Sequence, residues 1–163
     1  MIYVTVGTHE QQFNRLINCV DELKTNGTIE DEVIIQSGYS DCEIHNCAHS
    51  GLYSYEEVDG FFEKARIIIT HGGPSSIIQA LRYGKPPIVV PRLKRFNEHI
   101  NDHQLDFCRI VSERYDNIIL VEDIDKLKDA ILGYDELAAA RKLSGFGNNE
   151  GFNEGFRRIV EEL

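Results

Sequence analysis

Five short runs of mostly apolar, often β-branched residues punctuate the chain: Ile2 to Val6, Val33 to Gln36, Arg66 to Thr70, Pro87 to Val90 and Ile118 to Val121. Between them apolar residues recur at helical spacing, so strands alternate with helices in the manner of βαβ units. "RIIIT" and "PIVV" show no polar alternation, as expected of strands buried on both faces of a parallel sheet. Gly84 and Pro86 supply the stop for the helix between those two strands. The pattern predicts a doubly wound α/β fold, with a mainly parallel sheet and helices on both faces.

Two stretches depart from this rhythm. Residues Ser40 to Ser54 mix polar and apolar positions without a firm period, which predicts an irregular loop with room for a short strand. Near the end, "LSGFGNNEGFNEGF" is rich in glycine and asparagine and predicts a loop leading into a last helix. Over 151–163 that helix places Phe152, Phe156, Ile159, Val160 and Leu163 on one face. Such a stripe docks either on its own domain or on a partner subunit.

A length of 163 residues suits one domain, read here as residues 1–163. The opening "MIYVTVGTHE" has no basic segment followed by a long apolar one, and no stretch is long enough to cross a bilayer. A cytoplasmic location is therefore expected, in which Cys19, Cys42, Cys47 and Cys108 remain thiols. The formal charge of −10 argues against nucleic acid as a partner; Arg92, Lys94 and Arg95 form the one local basic cluster.

Candidate chemistry concentrates where strands hand over to helices. In "THGGPSSIIQ", Gly72 and Gly73 allow close backbone approach, Pro74 suits the first helical turn, and Ser75 and Ser76 add hydroxyl donors. A turn of this kind presents free N–H groups and the positive end of a helix dipole, which together suit an anion such as phosphate. The dipole alone contributes about 0.3 to 1 kcal/mol when exposed, so several contacts must act together. Taken by itself, the turn fits a structural connection equally well.

Gly7, Thr8 and His9 end the first strand at the same sheet edge. Asn97, His99, Asn101, His103 and Gln104 follow the strand ending at Val90 and offer neutral groups suited to sugar hydroxyls, or equally a helix cap and a solvated face. "HGGPSS" lacks the lysine of a phosphate-binding loop that hydrolyses ATP. Cys42, His45, Cys47 and His49 lie close together, but their spacing matches no usual paired-ligand arrangement, so no metal is expected.

The segments "VTVGTHEQQFNRLI", "ARIIITHGGPSSIIQALRYGKPPIVVPR" and "NDHQLDF", in this order and spacing, resemble the donor-binding half of GT-B glycosyltransferases. The resemblance extends to small stand-alone subunits of bipartite UDP-sugar transferases. These include the cytosolic subunit of a dolichol-linked N-acetylglucosaminyltransferase and bacterial capsule and exopolysaccharide subunits. It covers nearly the whole chain, least strongly over Ser40 to Ser54 and after Gly133.

The resemblance implies a Rossmann-like single GT-B half with UDP-sugar as substrate and no cofactor. It also implies a membrane-anchored partner that carries the acceptor site and holds the chain peripherally at the membrane. Gly72, Gly73, Ser75 and Ser76 would hold the donor diphosphate, with His71 beside it and Gly7 and Thr8 lining the opposing loop. Asn101, His103 and Gln104 would serve the sugar.

Family members commonly carry a glutamate that accepts ribose hydroxyls where this chain has Gln79. A glutamate at 79 is therefore expected to tighten UDP binding. The catalytic base is not evident; His9 is the one loop candidate. Two further readings stand beside the transferase subunit: a regulatory module that keeps the donor pocket without activity, and a homodimer whose two copies form the cleft.

Overall fold

The computed structural model describes residues 1–143 and 150–162, with side chains described outside 150–153. Six strands form one sheet: β1 (Ile2–Thr5), β2 (Val33–Gln36), β3 (Ala48–Ser50), β4 (Ile67–Thr70), β5 (Ile88–Val89) and β6 (Ile119–Leu120). All pairs are parallel, in the order β3-β2-β1-β4-β5-β6. The chain therefore winds outward from β1 to β3 and returns to lay β4 on the other side of β1, with Ile2 opposite Ile67 and Thr5 opposite Thr70. This is the Rossmann-like doubly wound arrangement, and its topological switch point lies between β1 and β4.

The helices are α1 (Asn14–Thr25), α2 (Tyr55–Lys64), α3 (Pro74–Arg82), α4 (His103–Tyr115), α5 (Leu127–Leu132), α6 (Tyr134–Ala139) and α7 (Glu150–Glu162). Strands β1 and β4 are buried along their whole length because helices cover both sheet faces. On one face Ile2 and Val4 meet Leu16, Ile17 and Val20 of α1 and Leu127 and Ile131 of α5. On the other, Tyr3 and Ile68 meet Phe62 of α2 and Ala80 of α3. Farther along, Ile77 and Leu81 join Val89, Phe107 and Val111. The unbroken apolar runs of β1 and β4 follow from this two-sided burial.

β5 and β6 hold two residues each, shorter than the four-residue runs in the sequence. The flanking Val90 and Val121 still donate N–H bonds to Thr70 and Val89, so they extend the sheet at its carboxyl edge. Within the irregular 40–54 stretch, β3 is a short edge strand on which Ala48 and His49 stay exposed.

Helix α7 docks on its own chain. Phe156 and Ile159 are buried, and the Phe156 ring meets Phe107 of α4 edge-on at 5.1 Å. Val160 is 43% exposed and so lies off the buried stripe, because the docked face is narrow and centres on positions 156 and 159. Phe152 and Leu163 lie outside the residues whose side chains are described. Among the described residues no helix is long and apolar enough to cross a membrane.

Candidate functional site

In a parallel sheet every loop that follows a strand leaves from the same edge, so the β1 and β4 loops face each other across the switch point. There Gly7, Thr8, His9, His71, Gly73, Ser75, Ser76 and Gln79 line one cavity of about 720 Å³, together with Gln36, Tyr39, Val58 and Phe62. Its size suits a small-molecule ligand. Val58 and Phe62 give it one apolar wall, while the α3 end is polar.

Helix α3 begins in the cavity. Gly73 is its N-cap and makes no side-chain capping bond; Pro74 occupies the first turn, which carries no acidic residue. The amides of a first helical turn have no partner within the helix. Those of Ser75 and Ser76, with their hydroxyls, thus present donors to the cavity at the positive end of the dipole.

His71 explains why glycine brackets this turn. The buried imidazole lies between the two loops, and a Cβ on Gly7 would come within 2.5 Å of its ring. Gly7 also sits at φ +73°, so both backbone and space select glycine there. A Cβ on Gly73 would collide with the ring on its Nε2 side. Burial pushes the His71 pKa down to about 4, helped by the nearby Arg92 guanidinium. The ring is accordingly neutral at physiological pH and acts as a spacer beneath the cavity, with Nδ1 3.3 Å from the Thr70 hydroxyl.

Gly72 and Gly73 are adjacent but face opposite ways. The Gly72 N–H donates to Gln104 Oε1 at 3.2 Å, and a Cβ on Gly72 would strike Cys108 and Gln104 of α4. Gln104 Oε1 also accepts from the Arg92 N–H, so this amide ties the β4 and β5 loops together behind the cavity. Asn101 accepts from the His103 N–H and donates its own N–H to His99. Gly72, Asn101, His103 and Gln104 do not line the cavity; the structure gathers the other predicted residues without them. His9 lies at the rim, stacked on His99 with ring centroids 4.7 Å apart and its Nε2 2.9 Å from Gln11 Oε1.

Arg92 is a residue whose part the sequence does not disclose. In the sequence it is one of three clustered cations; in the structure it is fully buried, whereas Lys94 and Arg95 are exposed. Its guanidinium donates to the carbonyls of Val6, Gln11, Gln12 and Glu98 and lies over the Phe13 ring. Burial lowers its pKa only to about 10, so it stays charged at neutral pH. The buried Glu98 carboxylate makes a two-pronged pair with Arg15, at 2.8 and 2.9 Å, and accepts from the Leu93 N–H. This network holds the β1 loop against the β5 loop and thereby sets one wall of the site. The only sequence signal is an arginine directly after a buried strand.

The four cysteines are free thiols. The His45 and Asn46 amides donate to Asp21, while the His49 ring bonds the Cys47 carbonyl. Among the described residues no three His, Cys, Asp or Glu side chains converge as a metal site.

A family model described as the glycosyltransferase family 28 C-terminal domain matches residues 1–146. No curated protein matches the chain.

Proposed function

Because the chain belongs to the glycosyltransferase family 28 C-terminal domain family, and so to the nucleotide-sugar-binding halves of GT-B glycosyltransferases, we propose that its switch-point cavity holds a UDP-sugar. The chain would then be the donor-binding catalytic subunit of a two-component transferase. Its acceptor would be a lipid-linked sugar in polysaccharide or oligosaccharide biosynthesis. The observation that carries this reading is the uncapped start of α3 opening into the cavity beside Gly7 and Gly73.

In this reading the diphosphate lies on the amides and hydroxyls of Ser75 and Ser76, with the Gly73 and Gly7 backbones close against it. As the sugar leaves, negative charge grows on the diphosphate, and fixed N–H and O–H donors stabilise that charge without reorganising. His71, neutral and buried, keeps the two loops apart and adds no competing charge. Asn101, His103 and Gln104 serve the sugar less directly, by shaping the loop behind the cradle. We assign the base that deprotonates the acceptor to the partner chain, which would carry the acceptor site.

The need for a partner is supported by the rim. Of the seven exposed large apolar side chains among the described residues, Tyr39, Leu52, Tyr55, Phe96 and Ile100 belong to segments on the carboxyl edge of the sheet, and Tyr39 lines the cavity. Exposed apolar groups gathered on one edge mark a surface that another chain covers. A membrane-anchored partner bearing the acceptor site fits there and would hold the chain at the membrane.

Titration calorimetry tests the donor site: UDP is expected to bind the isolated chain. Transfer is expected only when the chain is combined with membranes that contain its partner, and is expected to vanish with Gly73→Asp. Failure to bind UDP, or turnover indifferent to Gly73→Asp, would overturn the proposal.

A further inference from the structure

The cavity wall beyond the α3 N-terminus is formed by Gln79, next along the helix after Ser75 and Ser76. Its Nε2 donates to Asp59 Oδ1 of α2 at 3.3 Å. An ionised carboxylate only accepts hydrogen bonds, so this contact dictates which way the amide points: nitrogen toward Asp59, leaving carbonyl Oε1 to offer to the cavity. The Asp59 carboxylate also pushes the pKa of Tyr83, the C-cap of α3, up to about 12. Asp59 itself does not line the cavity; it stands behind Gln79 and holds it.

We propose that Asp59 is a positioning residue for the nucleotide. It fixes the Gln79 amide so that an uncharged carbonyl oxygen receives a ribose hydroxyl, and the pair works with a single negative charge between its two members. The inference rests on the reading of the cavity as a UDP-sugar site. A diphosphate on the first turn of α3 leaves its nucleoside to run along the helix toward Gln79.

This pairing reverses the expectation drawn for residue 79 from the sequence. A glutamate there would lose the N–H that Asp59 accepts and place two carboxylates within hydrogen-bonding distance. Such a pair either takes up a proton or moves apart, and both outcomes spoil the acceptor aimed at the ribose. The glutamine is thus matched to Asp59 on the neighbouring helix. The Tyr83 hydroxyl beside this carboxylate is itself near Glu63 and Tyr55 of α2, with Lys85 over the Tyr83 ring.

A double-mutant cycle with UDP as the probe tests the proposal. At pH 8, Gln79→Glu is expected to weaken UDP binding about tenfold, and at pH 5.5 much of that loss returns as the carboxylate pair gains a proton. Asp59→Asn combined with Gln79→Glu restores binding to at least the unsubstituted level at both pH values. Asp59→Asn alone costs several-fold, because an amide at 59 no longer dictates the orientation of the amide at 79. Tighter binding by Gln79→Glu with Asp59 in place, or two substitutions whose effects simply add, would overturn the inference.

Both residues are half-buried, and thermal melts verify that each variant folds. The Gln79 side-chain amide resonance is expected to shift in Asp59→Asn, which removes the carboxylate it donates to; an unmoved signal would also overturn the inference. A chain that fails to bind UDP at all would sink the functional reading itself. A binding chain with an additive cycle would sink only the role of Asp59.

Discussion

Helices α2 and α3 lie on the same face of the sheet, and their N-termini are built in opposite ways. At α2, Ser54 accepts from the Glu57 N–H at 3.2 Å while the Glu57 carboxylate accepts from the Ser54 N–H at 2.9 Å. This reciprocal box, with Glu56 beside it in the first turn, consumes free amides and sets negative charge against the dipole. At α3 the cap is Gly73, no side chain bonds the first turn, and no acidic residue lies in it. A cap of the α2 kind is worth about 1 kcal/mol, a stabilisation that α3 forgoes. One helix start is closed by its own chain; the other is left open toward a cavity, where a ligand anion can complete it.

The strongest way to break this contrast is to close α3 from within. Gly73→Asp places a carboxylate at the cap and drives a Cβ into His71. Like charge in the proposed diphosphate cradle costs several kcal/mol, so UDP affinity is expected to fall by more than about 100-fold in calorimetry.

The spacer beneath the cradle has a signature in acid. The His71 pKa is held near 4 in the folded chain, below the value of about 6.5 it has when unfolded. The unfolded chain therefore binds the proton first. The stability from keeping this ring neutral is fully present above pH 6.5 and is lost as pH falls toward 4, a change on the order of 3 kcal/mol. Urea unfolding at pH 7.5, 6, 5 and 4.5 should show that decline, and His71→Leu should flatten it. An unchanged slope in the variant would remove His71 as its cause.

Gentler substitutions exchange the two designs. Ser76 occupies the place in α3 that Glu57 occupies in α2. Ser76→Glu is expected to weaken UDP binding about tenfold while leaving thermal stability unchanged or raised by about 0.3 to 1 kcal/mol. Conversely, Ser54→Ala should cost about 1 kcal/mol of stability and leave UDP affinity untouched.

Much of this contrast is legible in the sequence and part of it is not. The unbroken apolar runs reveal β1 and β4 because burial on both faces removes polar alternation. "GGPSS" reveals an open helix start because each residue type there has a local backbone reason. The short edge strand β3 is nearly invisible, since Ala48 and His49 are exposed and carry no burial pattern. Gly72 and Gly73 read alike, yet one makes room for α4 and the other for the His71 ring. Arg92 reads as one member of a basic cluster because sequence shows its charge and not the four carbonyls that gather around it. Asp59 escapes notice for a similar reason: its contact with Gln79 joins two helices 20 residues apart in sequence.

The central claim is that the open start of α3 is the diphosphate cradle. Backbone amide resonances followed during a UDP titration test it most directly. The account predicts that the largest shifts fall on Gly73, Ser75 and Ser76, with Gly7 and Thr8 following and Glu57 at the closed start of α2 unmoved. Saturable UDP binding that leaves those α3 amides unshifted and moves resonances elsewhere would contradict it.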